Sequence, residues 1–301
     1  MRPGRVGAFV LNRSLRIFPQ YLAALGVALL VIHTWPAVAF HINSYLRWPA
    51  TAGEWIPQLT IFGLIDSNVR VLPATWTLGT ELYFYLLIGL VTGRSRHAAL
   101  ALGIVSVPVG MLCALNLLPL RFYGSAMGNG FVLALGSLAY FHRDAVRIGW
   151  PSFALAVAAY VANLYLVPGL EQTDVDPLNL TASVLPFSVI LLFLVQHPVP
   201  RAKRVATVFD TLGKLAYPMF LLHWSVCVLV SVLLFHGQAS FDATDMLHGG
   251  EYFATMFLGV MLCSLAFYLL VDRPIEQLRR KVRRYAVAYR ASAVPSLPCG
   301  R

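Results

Sequence analysis

Two ionisable side chains lie in runs of the chain that are otherwise apolar, where proton transfer is possible and water is scarce. Glu81 sits in Trp76-Thr77-Leu78-Gly79-Thr80-Glu81-Leu82-Tyr83-Phe84-Tyr85. A helix places Thr77, Glu81 and Phe84 on one stripe, with Tyr85 a turn beyond the carboxylate, so that hydroxyls can hydrogen-bond it. His223 sits in Gly213-Lys214-Leu215-Ala216-Tyr217-Pro218-Met219-Phe220-Leu221-Leu222-His223-Trp224, where a neutral imidazole can give or take a proton. Pro218 removes a backbone donor and frees a carbonyl that can line a cavity. An ionisable group in such a run is costly unless it faces a polar interior, which marks both residues as candidates for chemistry. The plainer alternative for Glu81 is a carboxylate, protonated or not, that joins two helices, and for His223 it is a packing role.

Arg13 and Arg16 lie one helical turn apart just before the first apolar run. Guanidinium groups pair bidentately with phosphate, so the two can clamp a phosphorylated ligand, and they can equally anchor the chain at a membrane surface. The basic stretch Arg279-Arg280-Lys281-Val282-Arg283-Arg284 reads as a lipid-headgroup contact, and His33 as an interfacial residue. No zinc-type His cluster and no phosphate-cradling glycine loop is present in the sequence, so neither a metal nor a bound cofactor is expected. The four cysteines, Cys113, Cys227, Cys263 and Cys299, are scattered without metal or redox spacing.

These residues are carried by a chain that reads as an all-α, polytopic bundle of transmembrane helices. Of its 301 residues 58% are apolar and 12% charged, too few polar groups to cover a soluble globule, so lipid must cover it. The formal charge of +10 does not indicate nucleic acid, because the cations sit in short connections between apolar runs. Crossing a hydrocarbon core of ~30 Å takes about 20 apolar residues in a helix. About eight stretches qualify, at 17–40, 74–91, 98–117, 122–141, 148–167, 178–195, 212–235 and 252–271. The first is long enough to span and is not a cleaved leader. A shorter apolar stretch at 56–65, within the connection 41–73, predicts an interfacial or re-entrant helix.

Most of the 23 basic residues fall in alternate connections: the N-terminal tail, Arg94 and Arg96, Arg143 and Arg147, Arg201 to Arg204, and the tail from Arg273. The other connections hold Glu54, Asp66, Glu171, Asp174, Asp176, Asp242, Asp245 and Glu251 with only Arg47, Arg70 and Arg121. Basic loops stay in the cytoplasm, so both termini are expected there. The expected organisation is one membrane domain over 1–284 and a cytoplasmic tail over 285–301.

Four landmarks occur in order along the chain: Arg13-Ser14-Leu15-Arg16-Ile17-Phe18-Pro19-Gln20-Tyr21, the Trp76 to Tyr85 helix, the Leu212 to His223 helix, and Val271-Asp272-Arg273-Pro274-Ile275-Glu276. Together they resemble the membrane-bound acyltransferase family 3, whose members move acetyl or other short acyl groups onto surface glycans. Leu82 and Tyr83 stand where the family commonly has Glu-Gln, and Asp272 where it has Glu, departures that bear on acceptor choice.

The resemblance implies an O-acyltransferase of the bacterial inner membrane that takes an acyl group from cytoplasmic acetyl-CoA or another acyl-CoA to a hydroxyl of a glycan or lipid-linked sugar. In that reading Arg13 and Arg16 hold the donor, while Trp76, Glu81, Tyr85, Tyr217 and His223 build the reaction pocket, with Glu81 and His223 as the catalytic candidates. It also implies ten spans and a catalytic-base His on a helix upstream of this chain, hence an N-terminally incomplete and possible inactive form. Two further readings stay open: a secondary transporter with Glu and His as proton relays, although no paired halves are evident, and a non-catalytic membrane remnant.

Overall fold

The computed structural model describes residues 6–93, 95–114, 117–118, 130–166, 177–197, 203–237 and 246–280. Helices account for nearly all of them: α1 (Val6–Thr34), α2 (Pro36–Ile42), α3 (Ala52–Thr60), α4 (Trp76–Leu87), α5 (Arg96–Ala114), α6 (Gly130–His142), α7 (Trp150–Leu166), α8 (Pro177–Gln196), α9 (Lys203–Phe235) and α10 (Met246–Phe267). No strand occurs among the described residues. Single π-helical turns extend α4 through Ile88–Thr92 and α10 through Tyr268–Asp272.

Each of the eight expected stretches overlaps a helix among the described residues, the first running over both α1 and α2, and five helices among those residues are long and apolar enough to cross a membrane. They cover Leu11–Thr34, Pro73–Thr92, Arg96–Cys113, Val205–Phe235 and Gly249–Arg280, while Gly130–His142 and Ala182–Gln196 are shorter apolar helices. The connections expected at 121, 171–176, 201 and 242–245, residue 94 and the basic tail from 281 lie outside the described residues.

The chain divides into two compact units. The first comprises Met1–Val10 and Thr77–Ala202, the second Leu11–Trp76 and Lys203–Arg301. In the first, α5 packs on α6 and α7 on α8. A methyl group on Gly130 would lie 2.9 Å from Ser106 Cβ, so only glycine lets α5 and α6 approach this closely, as between membrane helices in general. Asn163 Nδ2 donates to Ser183 Oγ at 2.7 Å and ties α7 to α8.

In the second unit, α1 buries Ile17, Gln20, Tyr21, Ala24, Leu25, Ala28, Val31 and Ile32, the spacing of one helical face. Its other face carries exposed Leu22, Val27 and Leu30, so the helix is apolar all round and suits lipid rather than water. The α9 and α10 helices pack together through Gly259, whose added methyl would meet Val226 and Val230 at 3.2 Å. Tyr252 Oη donates to the Cys227 carbonyl at 3.1 Å across the same seam.

The segment after α2 carries the stretch expected to be interfacial or re-entrant, and it packs against α1. Near its start is a cluster of rings, with His33 5.7 Å from Trp48 and Trp48 5.9 Å from Trp55. A capping box of Thr51 and Glu54 then starts α3, satisfying two backbone donors. At the far end of α3, the Tyr21 hydroxyl donates to the Gln58 carbonyl at 2.6 Å. Tyr21 lies 13 residues before Thr34, roughly 20 Å down the helix at 1.5 Å per residue. The end of α3 therefore packs against α1 well away from the Thr34 end of that helix.

Backbone buried there must find its partners within the protein. Gln58 is fully buried and supplies two of them: its Nε2 donates to the Val69 carbonyl at 2.8 Å and its Oε1 accepts from Val71 N–H at 3.1 Å.

Candidate active site

In the first unit, the α4 spacing brings Tyr85 onto Glu81 as expected, the Tyr85 hydroxyl donating to Oε2 at 3.5 Å, a long bond. Phe9 meets the Tyr85 ring edge-on at 6.3 Å and limits where that hydroxyl can point. Glu81 itself is exposed, while its helix neighbours Leu78, Gly79 and Leu82 are buried.

In the second unit, three of the sequence landmarks meet. Tyr217 on α9 donates its hydroxyl to the Ile17 carbonyl on α1 at 3.3 Å. Asp272, in the π turn that ends α10, is buried and hydrogen-bonded by the Gln20 side chain from α1. The extra residue in a π turn re-aims the side chains that follow, and such turns recur at functional sites.

One oxygen on each partner, Gln20 Oε1 and Asp272 Oδ1, has no hydrogen-bond partner among the described residues. The Gln20 amide nitrogen is therefore the donor, and two acceptor oxygens are left buried and unfilled. Arg16 lies one turn below Gln20 and Arg13 two turns below, so the basic pair runs up α1 toward this carboxylate. Arg16 is exposed and Arg13 half-buried.

His223 is half-buried on α9, beyond buried Pro218. Its Nδ1 lies 3.0 Å from the Phe220 carbonyl and 3.3 Å from that of Met219. Both neighbours are acceptors, so Nδ1 carries a proton, and in the neutral tautomer the lone pair is on Nε2. Trp224 lies against the imidazole, with ring centroids 5.4 Å apart. Trp76 is half-buried at the start of α4. Among the described residues no three His, Cys, Asp or Glu side chains group closely enough to hold a metal ion.

The family model described as an acyltransferase domain, acyltransferase 3, matches residues 1–271. The chain belongs to the acyltransferase 3 family. Searches of curated proteins and of solved structures gave no match. With five helices of membrane-crossing length among the described residues, this acyltransferase 3 chain reads as a membrane acyltransferase.

Sequence reading missed the Gln20–Asp272 contact within that family frame. One signal was present, since an amide inside the first apolar run is as costly as any other buried polar group. The partner was hidden, because nothing in the spacing of residues links the start of the chain to its far end.

Proposed function

We propose that this membrane acyltransferase takes its acyl group from a cytoplasmic acyl-CoA-type thioester, with acetyl as the first candidate, and delivers it to a hydroxyl of a glycan or lipid-linked sugar at the inner membrane. The observation that carries the reading is Glu81, an exposed carboxylate at the level of a membrane span, held by Tyr85. Exposure to hydrocarbon at that depth is prohibitively costly for a charge, so the group faces a polar space that an acceptor can enter.

Acyl transfer to oxygen needs a group that takes the hydroxyl proton, a donor held in place, and dipoles where charge develops. The acceptor oxygen attacks the thioester carbonyl carbon and its proton passes to a base, for which His223 Nε2 and the Glu81 carboxylate are the candidates in these residues. The tetrahedral intermediate then expels the thiolate, the C–S bond breaks, and the thiolate recovers a proton to give an ester and a free thiol. Arg13 and Arg16 suit the donor phosphates, because two guanidinium groups one turn apart can each make a bidentate contact. Tyr217 and Trp76 serve as pocket walls.

The test uses the full chain in micelles with radiolabelled acetyl-CoA and a membrane glycolipid fraction as acceptor. Glu81→Gln and His223→Ala are expected to lower label transfer on the order of 10²-fold or more, the contribution of a positioned acid or base. Transfer at the wild-type rate in both variants removes these residues from the reaction.

A further inference from the structure

The connection between α6 and α7 is organised by a single side chain from another helix. Gln196, the last residue of α8, donates from Nε2 to the Arg143 carbonyl at 2.7 Å and to the Val146 carbonyl. Its Oε1 accepts from Ile148 N–H at 2.9 Å. Three backbone groups of one short loop are thus satisfied by one amide, which holds the loop as a rim instead of letting it collapse onto the helix ends. Behind the rim lies a cavity of about 940 Å³, lined by Arg143, Asp144, Arg147, Ile148, Gln196 and His197 among others.

The charges around this cavity favour an anion. Arg147 has no ion pair among the described residues, and Arg143 is held over the Tyr140 ring at 4.8 Å. The one carboxylate, Asp144, meets Arg143 Nε at only 3.6 Å and its side chain is 94% exposed, so it turns to solvent and neutralises little. His197 forms a fixed wall. Its Nδ1 is 3.1 Å from the Phe193 carbonyl, and its ring stacks on Phe193 at 4.2 Å, which stacks in turn on Phe153 at 4.3 Å.

Exposed aromatic rings locate the cavity relative to the bilayer. Tyr140 is 63% exposed and Trp150 68% exposed, one on either side of the basic loop. Amphipathic rings of this kind settle at the boundary between hydrocarbon and headgroups. Two arginines just beyond that boundary sit at the level of lipid phosphates, where basic pockets between membrane helices receive anionic headgroups.

We propose that this cavity binds the phosphate headgroup of an anionic phospholipid. The site shares no residue with the acyl-transfer assignments and stands whether or not those hold.

The full chain in neutral detergent tests the assignment through its melting temperature with added phosphatidylglycerol, phosphatidylcholine or coenzyme A. Phosphatidylglycerol is expected to raise the melting temperature and phosphatidylcholine is not, with apparent affinity for the anionic lipid weakened about tenfold or more in Arg143→Gln/Arg147→Gln. Should the double variant melt low before lipid is added, Arg147→Gln alone, which breaks no ion pair among the described residues, carries the comparison. Equal stabilisation of variant and wild type by phosphatidylglycerol overturns the proposal, as does equal stabilisation by phosphatidylcholine. Coenzyme A displacing the lipid effect through the same arginines also overturns it, by making the site one for a soluble phosphate ester.

Discussion

Burying Gln20 against Asp272 is costly unless each satisfies the other, and the contact is incomplete because one oxygen on each side is unfilled. Loss of either partner alone leaves the survivor with no mate inside a membrane span. Gln20→Leu and Asp272→Leu are each expected to cost about 2–4 kcal/mol of unfolding free energy. The double variant is expected to cost less than the sum by about 1 kcal/mol or more, as for groups in direct contact. Denaturant unfolding of all three in micelles measures that coupling, and additive losses contradict a direct bond.

The contrast with Glu81 and Tyr85 shows what was legible at this scale. Two residues four apart on a helix meet by geometry, so the pair could be read from spacing alone. Gln20 and Asp272 meet only because α1 and the π turn after α10 are folded together, and residue spacing carries no such information.

At the scale of elements, the segment between α2 and α4 depends on Gln58 more than on its own apolar residues. The length of the 56–65 run showed that it is too short to span, and its seat against α1 follows from partners the sequence does not advertise: the Tyr21 hydroxyl and the backbone of Val69 and Val71. Gln58→Ala strands the buried Val71 N–H and leaves the Val69 carbonyl with the Ser67 hydroxyl alone. It is expected to lower stability by about 2–4 kcal/mol and to open the segment to protease before the rest of the chain unfolds. Limited proteolysis at rising denaturant checks the order, and simultaneous cleavage throughout contradicts it. Helix existence and rough position were legible across the described residues, since apolar length alone signals a membrane helix. The expected crossing number was less so, because α6 and α7 are described over only 13 and 17 residues.

For the whole molecule, the charge pattern and the placement of candidate groups make a joint statement about sidedness. Arg13, Arg16, Arg143 and Arg147 belong to the connections that the basic-loop rule assigns to the cytoplasm, the compartment that holds acyl-CoA. A donor site there must take its thioester from one face only. The most direct measurement is acyl transfer by the full chain oriented in proteoliposomes, with radiolabelled acetyl-CoA supplied to one face at a time. The expected result is transfer only from the face bearing those arginines, with Arg13→Gln/Arg16→Gln raising KM for the donor about tenfold or more. Transfer from the opposite face, or an unchanged KM in the variant, contradicts the account.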